Sequence, residues 1–493
     1  MQHRIIINLF IFLLIIPGMV FAQTLADKVQ EHRLDNGATV LLVERHDSPT
    51  VAAYISFRVG AVNERSNEQG AAHLLEHMLF KGTKTLGTKN YAAEKEMLLG
   101  IKTVGQKIDA LKNRADYDPQ ELQQLRDQLT ALQNEHRKLV VKNEFSKIYA
   151  ENGGVGYNAY TGKDSTTYLI NLPANKLELW AAIESDRLQN AVFREFYTER
   201  NVVHEERRRS YESSPDGIMY ETLLATAYKV HPYRHPVIGW NSDIDNLDPD
   251  EIRDFFDKYY TPVNMVITLV GDFDSQATLQ MVDRYFGKLA SGVPVPVVVD
   301  REPQQNGERR AYINFDAEQQ LMIAYHKPTM PQRDDYVFDL LMQILCEGRT
   351  SRLYKSLVVD KKLVTDVNVF GAPGSRYDNL MVLSMTPRFS CSCTDIEDAV
   401  YSELERLKSE PLSSSELDIA RKQIMTSILR GLKGNSGLAR MLSSYQNLGD
   451  WRYLVDYEKH LNSISAEDIM DVAKRYLHAD NRTVVTLIRG EQS

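Results

Sequence analysis

One block of sequence occurs twice in this chain, and it constrains the fold more than any other feature. Residues 250–259 and 467–476 share acidic residues, an Ile, an Asp, a basic residue and a closing Tyr at one offset of 217 (467 − 250). An Asn and an apolar run follow each copy, at 265–270 and 483–488. Each block predicts an amphipathic helix, a turn and a buried strand. The repeat therefore favours two domains of one α+β architecture over a chance similarity.

A segment rich in Pro and polar residues separates the two copies at 291–309. This composition is typical of a linker between domains. We therefore expect a first domain at 23–290 and a second domain at 310–493. In each domain we expect a mostly antiparallel β-sheet packed with α-helices.

Residues 92–145 of the first domain differ in character from their surroundings. They are rich in Lys, Glu, Gln and Leu, and their leucines recur at helical spacings. Asp118 and Pro119 interrupt them and suit the N-cap and first turn of a second helix. The segment predicts an inserted hairpin of two antiparallel helices, for which a solvated surface is favoured over a docking role.

The N-terminus predicts an export signal at residues 1–22. Arg4 precedes a short apolar run, and Ala22 provides a small residue before a cut at Gln23. Export would place the protein in the periplasm or outside the cell, with an uncleaved membrane anchor as the alternative. The net charge of −9 argues against general nucleic-acid binding. The three cysteines are odd in number and widely spaced, which excludes a disulfide framework; the alternatives are one bridge from Cys346 to Cys391 or Cys393, or none.

The cluster His73-Leu74-Leu75-Glu76-His77 indicates metal chemistry. On a helix the two histidines share one face, and Glu76 borders that face. Two imidazoles can hold a zinc ion while the carboxylate takes a proton from bound water. The order H-x-x-E-H is the inverted form of the zinc peptidase motif. Alone, it also fits an ordinary half-exposed helix, because zinc needs a third protein ligand.

Glu199 and Glu206 are the best candidates for that third ligand. They lie seven residues apart, so a helix would present them on one face, two turns from each other. One carboxylate could bind the metal while the other orients a ligating histidine. The spacing does not decide which does which, and a charged, exposed helix is the alternative.

Residues 72–83, which contain the cluster, resemble the zinc helix of the pitrilysin/insulinase peptidases. The resemblance is closest to the bacterial and mitochondrial-processing-peptidase branch of that family. Similar segments follow in the family's order at 153–161, 199–206, 235–239, 260–272 and 351–354. The resemblance implies one zinc ion per chain, bound by His73, His77 and Glu206. It also implies Glu76 as the general base and Glu199 as the carboxylate that orients a ligand.

The residues Asn158, Ala159, Tyr160 and Thr161 resemble the family's active-site strand. The edge of such a strand can accept an extended peptide as an added strand. The chain is therefore predicted to be an exported zinc endopeptidase that hydrolyses peptides or unfolded polypeptide segments. The alternative is a non-catalytic assembly or binding subunit with a retained metal site, although a purely structural site needs no base such as Glu76.

One departure from the family predicts a partner. Family members often carry an Arg and a Tyr seven residues apart, which hold the substrate carbonyl from the domain opposite the zinc. Val358 and Thr365 occupy the matching positions here; Val cannot donate a hydrogen bond and Thr is too short. A full chamber in this family needs four domains, and a self-dimer would only repeat the defect. We therefore expect a heteromeric partner, a second two-domain subunit that carries the Arg–Tyr pair.

Overall fold

The computed structural model of the protein describes residues 25–489, in which the strands form two mostly antiparallel β-sheets. The first sheet contains β1 (Gln30–Arg33), β2 (Thr39–Glu44), β3 (Thr50–Phe57), β4 (Val155–Thr161), β5 (Thr166–Pro173) and β6 (Met265–Gly271). The second sheet contains β7 (Arg309–Phe315), β8 (Gln320–Lys327), β9 (Val364–Ala372), β10 (Asn379–Pro387) and β11 (Arg482–Arg489).

Helices surround both sheets. In the first half they are α1 (Leu25–Lys28), α2 (Ala71–Met78), α3 (Tyr91–Lys112), α4 (Pro119–His136), α5 (Glu144–Glu151), α6 (Leu177–Asn190), α7 (Phe196–Arg207), α8 (Pro215–Ala227), α9 (Asn241–Asn246), α10 (Pro249–Tyr259) and α11 (Ser275–Phe286). In the second half they are α12 (Arg333–Cys346), α13 (Cys393–Ser409), α14 (Ser414–Gly431), α15 (Asn435–Leu448), α16 (Arg452–Asn462) and α17 (Ala466–Tyr476).

The two sheets have the same topology. The order β2-β6-β3-β5-β4 in the first sheet corresponds to β7-β11-β8-β10-β9 in the second, and β1 is added at the edge of the first. The last strand of each half lies between two earlier strands of that half: β6 pairs parallel with β2 and antiparallel with β3, and β11 pairs parallel with β7 and antiparallel with β8. The predicted α+β class, with two similar halves built on mostly antiparallel sheets, is confirmed.

The repeated sequence block forms the same local structure in both halves. The block forms α10 and β6 in the first half, and α17 and β11 in the second. The shared Asn also makes the same contact: Asn264 Nδ2 donates to the carbonyl of Tyr259 at 3.1 Å, and Asn481 Nδ2 donates to that of Tyr476 at 2.8 Å. Each Asn thus satisfies a backbone carbonyl at the C-terminus of a helix, where helices leave such groups unpaired.

Each half contributes one helix to the sheet of the other half. Helix α15 packs on β3 and β6, where its Leu438 and Leu442 join the buried residues of the first sheet. Helix α8 packs on β7 and β11, where its Met219 and Leu223 join those of the second. Because burying apolar side chains is the main stabilising term in folding, this exchange holds the two halves together.

Helices α3 and α4 form a hairpin that occupies most of the segment where an insertion was expected. Asp118 caps α4 through a 2.8 Å bond from the amide of residue 120, and Pro119 follows it in the first turn. Leucines and other apolar side chains fill the space between the two helices. At the base, the buried Glu94 accepts hydrogen bonds from His136 at 2.8 Å and from Arg194 at 2.7 Å.

Residues 290–308, between the two sheets, form neither helix nor strand. Cys346, Cys391 and Cys393 are free thiols. Within residues 25–489, no helix has the length and apolar character needed to cross a bilayer. The segment 1–22, where an export signal was expected, lies outside the described residues.

Candidate metal centre

Helix α2 has one buried face and one polar face. It begins after Gly70, whose φ of +94° favours glycine and whose Cβ would lie 2.5 Å from a backbone carbonyl oxygen. The leucines of α2 and Met78 pack in the core of the first half. His73, Glu76 and His77 are half-buried on the other face. The helix is thus fixed by its apolar side while three chemically active side chains remain accessible.

Helix α7 packs against α2 and contributes two carboxylates. The Glu199 and Glu206 side chains, two turns apart, are 12% and 43% exposed. Val203, between them in sequence, is buried in the core of the first half. The predicted helical spacing therefore places both carboxylates against the polar face of α2.

Glu206 reaches both histidines, and the separations suit a shared metal ion. Its Oε1 lies 3.6 Å from His73 Nε2, and its Oε2 lies 3.4 Å from His77 Nε2. One donor atom from each residue lies within 4.8 Å of the other two. Zinc bonds of about 2.0–2.2 Å at tetrahedral angles separate neighbouring donor atoms by roughly 3.3–3.6 Å. The donor set therefore fits zinc.

The charges of the site suit a bound cation. Burial, followed by the neighbouring His77, lowers the pKa of His73 to about 4, so its ring is neutral at physiological pH. Burial opposes the ionisation of His77, but Glu199 and Glu206 outweigh it and raise the pKa of His77 to about 9. A hydrogen bond with His77 lowers the pKa of Glu206. Since metal ligands must be deprotonated, binding of a metal ion would release the His77 proton.

Glu199 lies on the other side of the His77 ring. Its Oε2 is 3.4 Å from His77 Nδ1, and its Oε1 accepts a hydrogen bond from Lys81. Burial would raise the pKa of Glu199, but His77 and Lys81 outweigh burial and lower it. A carboxylate at Nδ1 favours the tautomer whose Nε2 is free to bind metal. Glu206, rather than Glu199, therefore faces the two Nε2 atoms.

Glu76 is held by the strand predicted to bind substrate. Thr161 Oγ1 donates a 2.5 Å hydrogen bond to Glu76 Oε2. Burial raises the pKa of Glu76, and the hydrogen bond from Thr161 only partly opposes this. A carboxylate with a raised pKa is a stronger base than an ordinary glutamate, as proton transfer near neutral pH requires.

The strand β4 lies at one edge of the first sheet, beside α2. Its hydrogen-bonded neighbour is β5, so its other edge is open in the described part of the chain. Of the four predicted residues, Ala159 is buried, Asn158 and Tyr160 are exposed, and Thr161 contacts Glu76. The strand therefore combines an open edge with a direct contact to Glu76.

Two further residues at this site carry no motif in the sequence, Lys81 and Glu64. Lys81 lies inside the segment that resembles the zinc helix, but its contact with Glu199 depends on how the chain folds back after α2. Glu64 accepts hydrogen bonds from the amides of Gly70 and Ala72 at the start of α2. The sequence signal for Glu64 is indirect: Gly70, which precedes α2, has no side chain with which to cap the helix.

Val358 and Thr365 lie in the second half, at a π-helical turn (Tyr354–Asp360) and at the start of β9. Val358 packs against the core of that half. Thr365 is exposed and donates to the carbonyl of Thr386 at 3.2 Å. Neither side chain therefore offers a long hydrogen-bond donor.

The fold and the donor set define a two-sheet α+β protein with a candidate metal site of the inverted zinc-peptidase type. The family model described as insulinase (peptidase family M16) matches residues 39–129 and 137–240. A second model, described as peptidase M16 inactive domain, matches residues 246–424. The two models together match well over half of the chain, which belongs to the insulinase family of peptidases.

Individual relatives and solved structures are similar to this chain over most of its length. A relative named zinc protease PqqE, from Helicobacter pylori (strain ATCC 700392 / 26695), is 27% identical over 491 residues, which covers 97% of this chain and 96% of the relative. The crystal structure of a protease from Helicobacter pylori has a TM-score of 0.79 at 25% identity and covers 93% of this chain and 99% of that one. The periplasmic protease PqqL from Escherichia coli shares the fold, with a TM-score of 0.70 at 18% identity. The match covers 94% of this chain but 48% of PqqL.

Proposed function

We propose that this protein is a zinc-dependent endopeptidase that hydrolyses peptides or unfolded polypeptide segments. The observation that carries the proposal is the convergence of His73, His77 and Glu206 beside Glu76, at separations that suit zinc. Relatives named zinc proteases support it at the level of the family.

In the proposed mechanism His73 and His77 would hold one zinc ion through Nε2, and Glu206 would hold it through a carboxylate oxygen. A bound zinc ion supplies Lewis-acid chemistry, which acidifies water and polarises a carbonyl group. Glu76 is the general base. Because Thr161 holds its Oε2, the other oxygen is available to take a proton from the attacking water and pass it to the leaving amine.

The open edge of β4 would hold the substrate. An extended peptide can pair there through its main chain, with residues 158–161 next to the scissile bond. Main-chain pairing is largely indifferent to side chains, so the substrate class is unfolded peptide rather than one particular sequence. Glu199 would keep the His77 ring in the orientation and tautomer that bind metal.

The substrate-holding donors would come from a second, similar subunit with an Arg–Tyr pair. Val358 and Thr365 are poor substitutes in this chain. The likeness of this chain to about half of the PqqL chain is compatible with two such units in one assembly. Co-purification should recover that subunit. Equal peptidase rates with and without it would contradict the partner.

The proposed site of action is the periplasm or the exterior of the cell. The apolar run that follows Arg4 supports export, and PqqL is named a periplasmic protease. A mature protein that begins at Gln23 in the periplasmic or secreted fraction is expected. A chain that keeps residues 1–22 would favour a membrane anchor instead.

The mechanism is tested with two pairs of measurements on the protein together with any co-purifying partner. Chelation should abolish peptide cleavage and added zinc should restore it. Glu76→Gln should lower kcat by about 10²- to 10⁴-fold, because it removes the base, while zinc content is unchanged. Full activity in this variant would overturn the assigned base.

The ligand assignment has a matched control on the same helix. Glu206→Gln should lose zinc, because it removes the anionic ligand. Glu205 is its exposed neighbour and pairs with Arg208 at the surface. Glu205→Gln should therefore keep both zinc and activity. If the Glu206 variant retains zinc as tightly as the Glu205 variant does, Glu206 is not a ligand.

A further inference from the structure

Helix α2 begins without a capping side chain of its own. The residue before it is Gly70, which offers no acceptor to the amides of the first turn. Such amides have no partner within the helix and need an acceptor from elsewhere. His73 is only the third residue of α2, so its position depends on whether this first turn is formed.

Glu64 supplies the missing acceptors. Its Oε2 accepts from the amide of Gly70 at 3.0 Å, and its Oε1 accepts from the amide of Ala72 at 2.8 Å. One carboxyl group thus binds two amides on either side of the start of the helix. When ionised, the carboxylate would also interact favourably with the helix dipole.

The segment that carries Glu64 is itself fixed against the β4–β5 turn. The amides of Ala61 and Val62 donate to the carbonyls of Gly162 and Lys163 at 3.1 and 2.9 Å. At Gly60 a Cβ would lie 2.4 Å from the carbonyl oxygen of Gly162, so the two segments are in close backbone contact. Gly162 directly follows Thr161, which binds Glu76.

The Glu64 carboxyl group lies near a buried lysine, Lys163. The Lys163 side chain is only 3% exposed, has a buried Nζ without a hydrogen-bond partner, and attracts the Glu64 carboxyl electrostatically. Burial raises the pKa of Glu64 to about 8, although the Ala72 and Gly70 amides and Lys163 oppose this. Both the neutral and the charged carboxyl group can accept hydrogen bonds.

We propose that Glu64 is a positioning residue for the metal site, which ties the first turn of α2 to the β4–β5 turn and so fixes His73 and Glu76 relative to Thr161. This inference rests on the proposed zinc site. It assigns to Glu64 no contact with zinc or substrate. Its effect passes through the backbone of α2, so it should change the affinity for zinc as well as the rate.

Two variants and one control test the proposal. Glu64→Ala removes both acceptors. Glu64→Gln keeps one oxygen acceptor but places an amide nitrogen opposite the other backbone donor. Its effects should therefore lie between those of the wild type and of Glu64→Ala. The control is Glu68→Ala, in the same loop, because the Glu68 side chain, which is 13% exposed, accepts a hydrogen bond from the exposed Arg65 instead of binding amides of α2.

The first readout is zinc affinity, measured by competition with a chelator. By analogy with other residues that orient metal ligands, Glu64→Ala should weaken zinc binding by about 10- to 100-fold. The second readout is hydrogen exchange. The amides of residues 70–74 should exchange faster in both Glu64 variants, while exchange elsewhere and in Glu68→Ala should match the wild type.

Unchanged zinc affinity and unchanged exchange in a folded Glu64 variant would overturn the inference. If Glu64→Ala does not fold, Glu64→Gln decides by the same two readouts. Failure of the proposed zinc site itself is distinguishable, because the wild-type protein would then bind no zinc that depends on His73. That result would overturn both proposals. If the wild type binds zinc through His73 and the Glu64 variants bind it equally well, with unchanged exchange, only the inference about Glu64 is overturned.

Discussion

The buried carboxyl group at the base of the α3–α4 hairpin provides a quantitative test of the structure. Glu94 and Arg194 are both 0% exposed, and His136 is 2% exposed. The Arg194 guanidinium donates to Glu94 at 2.7 Å and to three backbone carbonyls of the loop after α2. Glu94→Ala would leave this guanidinium buried without its carboxylate. Removal of one member of a buried pair costs about 3–5 kcal/mol. The carbonyls keep part of the charge solvated, so we expect about 3 kcal/mol.

Urea unfolding of Glu94→Ala against the wild type measures this loss of free energy of unfolding. The control is Glu96→Ala, on the same helix, whose exposed side chain should change stability by no more than about 0.5 kcal/mol. A double-mutant cycle with Glu94→Gln and Arg194→Gln should give a coupling energy above about 1 kcal/mol. Additive effects, or a Glu94→Ala variant as stable as the control, would refute the contact.

Three further predictions follow from single residues. Gly105→Ala would place a Cβ 2.0 Å from the Tyr197 ring, so it should destabilise the protein by about 1–3 kcal/mol in urea unfolding, whereas a gain in stability would contradict this packing. Asp164 accepts from the Tyr233 hydroxyl and from two amides of the second half, so Asp164→Ala should speed proteolysis between the halves; an unchanged rate would argue against this contact. Burial, followed by the charge of a neighbouring carboxylate, raises the pKa of Asp339 to about 7. Its contribution to stability is present below its unfolded pKa near 3.8 and is lost as pH rises through about 7; the difference between these two pKa values corresponds to roughly 4 kcal/mol. Asp339→Asn should lack this slope in unfolding measured from pH 4 to 8.

Part of this structure could be predicted because it depends on local patterns. Asp118 and Pro119 marked the start of α4, and the repeated block marked α10, β6 and their counterparts. The seven-residue spacing of Glu199 and Glu206 placed both on one helical face. Spacing alone could not decide which glutamate is the metal ligand, because the two roles depend on which nitrogen of the His77 ring each carboxylate contacts. The resemblance selected Glu206 as the ligand, and this assignment stays a prediction; in the structure Glu206 lies 3.4 Å from Nε2 of His77 and Glu199 lies 3.4 Å from its Nδ1.

Other features depend on contacts between residues that are distant in the chain. Nothing in the local sequence indicates that α15 covers the first sheet, because its buried leucines would suit either half. Glu94 and Arg194 are separated by 100 residues, and a buried pair of this kind has no spacing signature. Glu64 precedes α2 by several residues and reaches it only because the chain turns back on itself.

The two halves have the same topology but different polar side chains on corresponding helices. Helix α12 follows β8 as α2 follows β3, and these strands hold the same place in their sheets. Yet the polar side chains of α12 already have partners: Asp335 pairs with Lys327, and Asp339 accepts from Tyr457. On α2 and α7 the Glu206 oxygens instead lie 3.6 and 3.4 Å from the Nε2 atoms of His73 and His77, longer than a typical hydrogen bond and close to the spacing of zinc ligands. The two halves thus share an architecture but differ in which polar groups meet at these helices and how far apart they lie, so the chemistry depends on the donor set rather than on the architecture.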